Sequence, residues 1–446
     1  MAVALGASAP AAPQLLDDFE APQRWAASAS DGVTGTATKV VGAEGAAVRL
    51  DYDFTRGSGY AVLRRELPLD LSGNFALRFK LRGQGLANAL EVKLVDASGD
   101  NVWWHRYPDL APPGDWKDFT VKRRQVKFAW GPTSDKTLRR VAAIEFVVAA
   151  GKGGGKGWIA VDDLTLERLP EPPAVPPPVT ARGDGMKAVD GRVATAWSGC
   201  GGEPLDLDLG YAREFGGLVL RWGSQPPADY TVALSDDARR WRTVHTVHGR
   251  DGGADWLRLP ESQARYVRVQ PLGKTGPCSL AEVEVKPLEF GETANAFLTE
   301  VAREHRRGGF PRGFVGEQNY WTLVATPEGG VSGLMDESGA VENSPGGFSI
   351  EPFVRVGERL VTWADVAVTQ SLKDGYLPMP AVRWQAPGWA LHVSSFAAAD
   401  GNLIARYELE NLSSQAKSLD LVLAVRPLQV NPPQQFLNIT GGVSPI

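Results

Sequence analysis

The chain has 446 residues, too many for one ordinary domain, and its 43% hydrophobic content excludes bulk disorder. A net charge of −5 with both signs interspersed leaves no footprint for nucleic acid, and no apolar run approaches the ~20 residues that span a membrane. Gly 50 and Pro 32 favour many short strands joined by turns over long helices.

Residues 1–14, MAVALGASAPAAPQ, carry small residues in a cleavage-like pattern but no basic start. Two readings stand: the remnant of a secretory signal beginning upstream, or an Ala/Pro leader. Residues 15–169 alternate in short runs, among them AAVRLDYDF, FALRFKLRG, ALEVKLVDA and WIAVDDLTLERL. Turn residues separate them, which is the pattern of an antiparallel sandwich. Pairing of the first and last strands would gather Asp18, Glu20, Asp162 and Asp163. Such a group suits a hard cation such as Ca²⁺, or its members cap exposed strand ends. The 14 tryptophans of the chain suit cores and sugar stacking alike. In DNVWWHRYPD and FAWGP, the aromatic candidates are Trp103, Trp104, His105, Tyr107 and Trp130. On a regular strand, Trp103 and Trp104 face opposite sides, so one of them fills the core.

The bracket formed by LLDDFE and WIAVDDLTLERL resembles the jelly-roll carbohydrate-binding modules of the family 11 type. That resemblance implies glycan contact on aromatic platforms across one sheet or on rim loops.

A proline-rich linker is predicted over 170–185, followed by a second strand-rich module over 186–287. Its ordered motifs are DGRVATAW, LDLDLG, VALSDDARRW, ARYVRVQP and CSLAEVEV. Together they resemble a discoidin, or coagulation-factor C-type, domain. The resemblance implies an eight-stranded galactose-binding-like sandwich whose Asp-Gly loop wraps a structural Ca²⁺. Carried onto this sequence, Asp190, Thr195 and Glu282 would supply side-chain oxygens, and Lys187 and Arg192 backbone carbonyls. The alternative is a metal-free turn with Gly191 at positive φ. Cys200 and Cys278, the only cysteines, are either bridged or two buried thiols. A bridge would agree with a secreted or periplasmic protein. Trp222 and Tyr230, flanking GSQPPAD, are the sugar-contact candidates of this module, and Trp197 is assigned to the core.

One short linker helix is predicted over 291–307, where Ala294, Phe297, Leu298, Val301 and Ala302 recur at helical spacing. Residues 308–446 return to strands. They resemble the β-sandwich that precedes the (α/α)6 barrel in six-hairpin glycosidases and cellobiose-phosphorylase-type enzymes. The acids Glu317, Asp336, Glu337, Glu351 and Asp365 show no spacing that pairs them as glycosidase carboxylates, and no barrel helices follow. The expectation is therefore an all-β protein of three consecutive sandwiches. It would bind poly- or oligosaccharide and scaffold a C-terminal catalytic domain missing from this sequence. The alternative is a complete, non-catalytic lectin-like protein.

Overall fold

A computed structural model describes residues 12–151, 153–199, 202–249, 252–273, 278–326, 330–435 and 440–444. The fold is nearly all antiparallel β, divided into two compact units, Met1–Val175 and Pro176–Ile446.

The N-terminal unit is a sandwich of two six-stranded sheets. The first runs in the order Thr34–Val41, Ala46–Asp53, Lys156–Arg168, Phe75–Gln84, Lys117–Lys122, and Gln14–Asp17 also pairs with Lys156–Arg168. The expected pairing of the first and last strands is thus present, with Leu15 opposite Thr165. The second sheet runs Lys127–Trp130, Val102–Leu110, Asn88–Val95, Arg140–Ala149, Tyr60–Asp70, Ala26–Ala29. Period-2 alternation dictates which side chains are inside. In Phe75–Gln84 the buried set is Phe75, Leu77, Phe79 and Leu81, which leaves Arg78, Lys80, Arg82 and Gln84 on the outer face. In Ala46–Asp53, Val48, Leu50 and Tyr52 go to the core, so Arg49, Asp51 and Asp53 face out.

The second unit holds two separate large cores. The first surrounds a seven-stranded arrangement in which Leu205–Trp222 and Ala254–Pro271 are each 18 residues long. Register breaks along both strands let them bend from one layer into the other. Counted as continuous runs, the described residues give seven strands here, the two 18-residue ones each interrupted by register breaks. Thr180–Ala181 pairs with Leu207 and Asp208, so this module begins inside the segment predicted as linker.

The predicted helix over 291–307 is two helices, Leu288–Glu292 and Ala294–Glu304. Thr293 separates them: its backbone is extended and its hydroxyl accepts from the Ala296 N–H as an N-cap. Val301 and Ala302 are buried, and Ala302 packs with Phe314 and Leu428. The C-terminal sandwich pairs Ser349–Val356 with Asp420–Arg426 in one sheet. Its other sheet runs Ala367–Lys373, Leu377–Ala386, Trp389–Ala397, Leu403–Asn411.

Candidate functional site

The outer face of the first sheet in the N-terminal unit carries a groove of about 660 Å³. Its lining includes Thr36, Arg49, Asp51, Gln84, Lys156 and Trp158. The pairing register explains the arrangement. Trp158 lies between Asp51 and Gln84, and the next outward residue on its strand, Ala160, lies between Arg49 and Arg82. A methyl group between two arginines leaves their guanidinium groups room to lean over the indole. The Arg49 guanidinium carbon is 4.4 Å from the Trp158 ring centroid and that of Arg82 is 5.9 Å away. Arg49 is held in place by Asp51, with Nε 3.0 Å from both carboxylate oxygens. Lys156 pairs with Asp53 at 3.0 Å. The groove floor depends on Gly157: a Cβ there would lie 2.4 Å from the Tyr52 hydroxyl. Beyond Trp158, Arg82 stacks 4.9 Å from the Trp116 ring. Trp158 is half-buried. A flat apolar ring flanked by planar hydrogen-bonding groups in an open groove suits a polar ring-shaped ligand.

The aromatic residues singled out in the sequence lie on the other sheet. Trp103 is core, 5% exposed, and its indole N–H donates to the Lys136 carbonyl. His105 and Tyr107 share its side of the strand, with rings 4.5 Å apart, and Tyr107 packs edge-on against Phe119. None of these three presents a platform on the outer face. Trp104 and Trp130 do face outward, edge to face at 5.4 Å, and Trp130 is 46% exposed. A cation lies over this patch too: Lys93 Nζ sits 5.0 Å from the Trp130 ring, 5.5 Å from Tyr60 and 5.9 Å from Trp104. Glu91 anchors that ammonium at 3.1 Å.

Of the four acids at the strand bracket, three accept backbone N–H groups. Asp162, buried, accepts from the N–H groups of Ala43 and Asp163, and Glu20 accepts from that of Ala46. Together they fix the turn between Thr34–Val41 and Ala46–Asp53. Asp18 accepts from the Glu20 N–H, and Asp163 is exposed. Burial pushes the Asp162 carboxyl above its usual range. Among the described residues, no three of His, Cys, Asp and Glu are arranged to hold a metal. The buried acid of the first strand is Asp17, which takes the Trp25 indole N–H at 2.8 Å and an ion pair with Arg65.

In the second unit the Asp-Gly loop brings its oxygens together. The Thr195 hydroxyl donates to Asp190 Oδ2 at 2.8 Å and lies 2.9 Å from the Arg192 carbonyl and 3.4 Å from that of Lys187. Glu282 Oε2 accepts from the Gly191 N–H at 3.1 Å, and Gly191 has φ +76, a glycine conformation. Burial, and then the nearby Asp190 charge, raise the Glu282 pKa. Neither carboxylate has an ion pair among the described residues. An all-oxygen set with two carboxylates and two carbonyls fits Ca²⁺.

Residues 178–283 match the F5/8 type C domain family. The F5/8 type C domain buries Trp222 and Tyr230, at 7% and 0% exposure, so the sequence candidates for sugar contact here are not surface platforms. Their N–H and O–H donate to the same Asp255 oxygen at 2.8 and 2.7 Å. Trp197 is core. Cys278 is buried and disulfide-bonded, and the chain's other cysteine, Cys200, lies outside the described residues.

No curated protein matches the chain. Among solved structures it is similar to a family 11 carbohydrate-binding module from Clostridium thermocellum in complex with a β-1,3-1,4-mixed-linked tetrasaccharide. The identity is 22% over 37% of this chain and 100% of that one, with a TM-score of 0.31. It is also similar to chitosan-binding module 2 of a chitosanase/glucanase from Paenibacillus sp. IK-5, at 26% identity over 24% of this chain and 94% of that one, TM-score 0.23. A third similar structure is a family 32 carbohydrate-binding module from Clostridium perfringens in complex with GalNAc-β-1,3-galactose. There the identity is 22%, over 24% of this chain and 93% of that one, TM-score 0.22.

In the C-terminal sandwich every acid considered for catalysis has partners within the fold. Glu317 pairs with Arg307 at 2.6 Å and Arg312 at 3.0 Å, and Glu337 with Arg312 at 3.2 Å. Glu351 is held by Arg426, and Asp365 by Arg306 and Arg359. Asp336 accepts from the N–H groups of Ser338 and Ala340, and burial pushes its pKa up to about 7. It lines a cavity of about 380 Å³ with Thr322, Met335, Gln370 and Ser371.

Proposed function

We propose that this chain binds glycan, and that the contact surface is the outer-face groove around Trp158. The observation that carries the reading is the half-buried indole flanked across the sheet by Asp51, Gln84, Arg49 and Arg82. An aromatic face takes the apolar face of a sugar ring, and flanking carboxylate, amide and guanidinium groups take its hydroxyls. The Trp104–Trp130 patch, with Lys93 over its rings as Arg49 lies over Trp158, is the competing surface on the opposite sheet. The similarity to carbohydrate-binding modules agrees with this reading. The Asp190–Glu282 loop of the F5/8 type C domain would hold a structural Ca²⁺, supplied by the converging oxygens of Lys187, Asp190, Arg192, Thr195 and Glu282. We further propose that the chain serves a glycoside hydrolase or phosphorylase outside the reducing cytosol, binding substrate for a catalytic domain. The disulfide at Cys278 and the internal pairing of the C-terminal acids support that division of labour. The test is a glycan array probed with the full chain, followed by titration calorimetry on the best ligand with and without a calcium chelator. Saturable binding that survives chelation is expected, since the groove lies in the unit without the calcium loop. Absence of binding to every glycan would overturn the proposal.

A further inference from the structure

We propose that the Trp158 groove selects glycans bearing a carboxylate, with Arg82 reading the charge. This rests on the glycan-binding reading above and adds the ligand class. The outer face of this sheet is rich in cations, and most of them are neutralised locally. Arg49 pairs with Asp51, Lys156 with Asp53 at 3.0 Å, Lys80 with Asp118 at 2.8 Å and Arg78 with Glu167 at 2.7 Å. Arg82 has no carboxylate partner among the described residues. Its guanidinium makes one hydrogen bond, from Nη2 to the Val41 carbonyl at 3.2 Å, while its Nε is buried with no acceptor.

A second donor is left unpaired beside it. The Trp116 indole Nε1 is likewise buried without a partner, and the Arg82 guanidinium stacks 4.9 Å from that ring. Buried donors without acceptors are uncommon in folded proteins and call for an explanation. Here the two lie together beside Trp158, one of them on Arg82 itself, whose guanidinium carbon is within ring-contact distance of both indoles. A negatively charged, acceptor-only group in the groove supplies the counter-charge that the Arg82 guanidinium lacks. A carboxylate does so with geometry matched to the guanidinium fork, whereas a sugar hydroxyl supplies an acceptor but no charge. The Arg82 guanidinium carbon is 5.9 Å from the Trp158 centroid. That spacing places a carboxylate on the sugar ring stacked at Trp158, or on its neighbour, within reach.

The experiment uses the full chain. Oligogalacturonate, oligoguluronate and glucuronate-substituted xylo-oligosaccharides are each titrated beside their carboxyl-reduced, neutral counterparts. At low salt, at least one uronate ligand is expected to bind about tenfold more tightly than its neutral counterpart. The preference should shrink toward unity near 1 M NaCl and in Arg82→Gln. Arg82→Lys, which keeps charge without the fork, should retain part of it, and circular dichroism checks that both variants fold. Trp158→Ala should abolish binding of both ligands. Equal affinity for acidic and neutral ligands, or a preference unchanged in Arg82→Gln or persisting in Trp158→Ala, would overturn the inference while leaving glycan binding intact. Failure of every acidic and neutral glycan to bind would overturn the underlying reading as well.

Discussion

Asp336→Asn is expected to make the C-terminal sandwich more stable above neutral pH, and the reason is local. The Asp336 carboxyl is buried, and Oδ1 accepts from the Ser338 and Ala340 N–H groups at 2.8 and 2.9 Å. Glu337 and Glu351 add repulsion, and no cation offsets the burial, so its pKa rises from 3.8 to about 7. An acid whose pKa is raised on folding binds its proton more tightly folded than unfolded. The resulting stability is fully present below about pH 4 and is lost as pH rises through about 7. A difference of that size corresponds to a ceiling of ~4 kcal/mol. Asparagine keeps the oxygen that accepts the two turn hydrogen bonds and removes the charge. Because the chain has several cores, one global transition would mislead. Urea unfolding is therefore followed by pulse-labelling mass spectrometry of peptides covering 332–356. Between pH 5 and 8 the wild-type midpoint should fall, while that of Asp336→Asn stays flatter and crosses above it. Parallel pH profiles for the two proteins would refute the reasoning.

Three further outcomes follow from the same geometry. Asp17→Ala leaves Arg65 buried without its partner and removes the acceptor of the Trp25 indole, and should destabilise the N-terminal unit by ~3–5 kcal/mol in urea denaturation. Adding Ca²⁺ should raise the melting temperature of the F5/8 type C domain, by ~2.7 kcal/mol of stabilisation at a hundredfold excess over Kd, and Asp190→Ala should abolish the gain. Gly157→Ala should weaken glycan binding and lower stability together, because its Cβ meets the Tyr52 hydroxyl in the groove floor; calorimetry and thermal melting check the pair.

The all-β class, the pairing of first and last strands and the core role of Trp197 were legible because period-2 alternation and short motifs are local. The discoidin-like motif order pointed to the region that matches the F5/8 type C domain family. Trp158 was not legible as a site residue. In WIAVDDLTLERL it reads as the apolar start of a buried strand, and nothing local reveals that Ile159 and Val161 take the core and leave it outside. Nor does the chain announce that Asp51 and Gln84, more than 70 positions away from Trp158 on either count, flank it in register. One usable signal was present: RLDYD and RFKLRGQ place charged or polar residues at every second position, marking an outer face dense in hydrogen-bonding groups. Trp222 and Tyr230 misled for the converse reason. They flank a Pro-rich loop in sequence, but their polar atoms converge on buried contacts with Asp255. Asp17 was not legible as the buried acid of the first strand, because a bulge between Leu15 and Asp17 shifts the register by which facing is counted.

The central claim, that glycan contact is made at the Trp158 groove, is tested most directly by titrating one glycan ligand into wild type, Trp158→Ala and Trp130→Ala. Loss of the stacking platform should abolish measurable binding in Trp158→Ala, with Trp130→Ala near wild type. Unchanged affinity in Trp158→Ala, with loss in Trp130→Ala, would contradict the account and move the site to the opposite sheet.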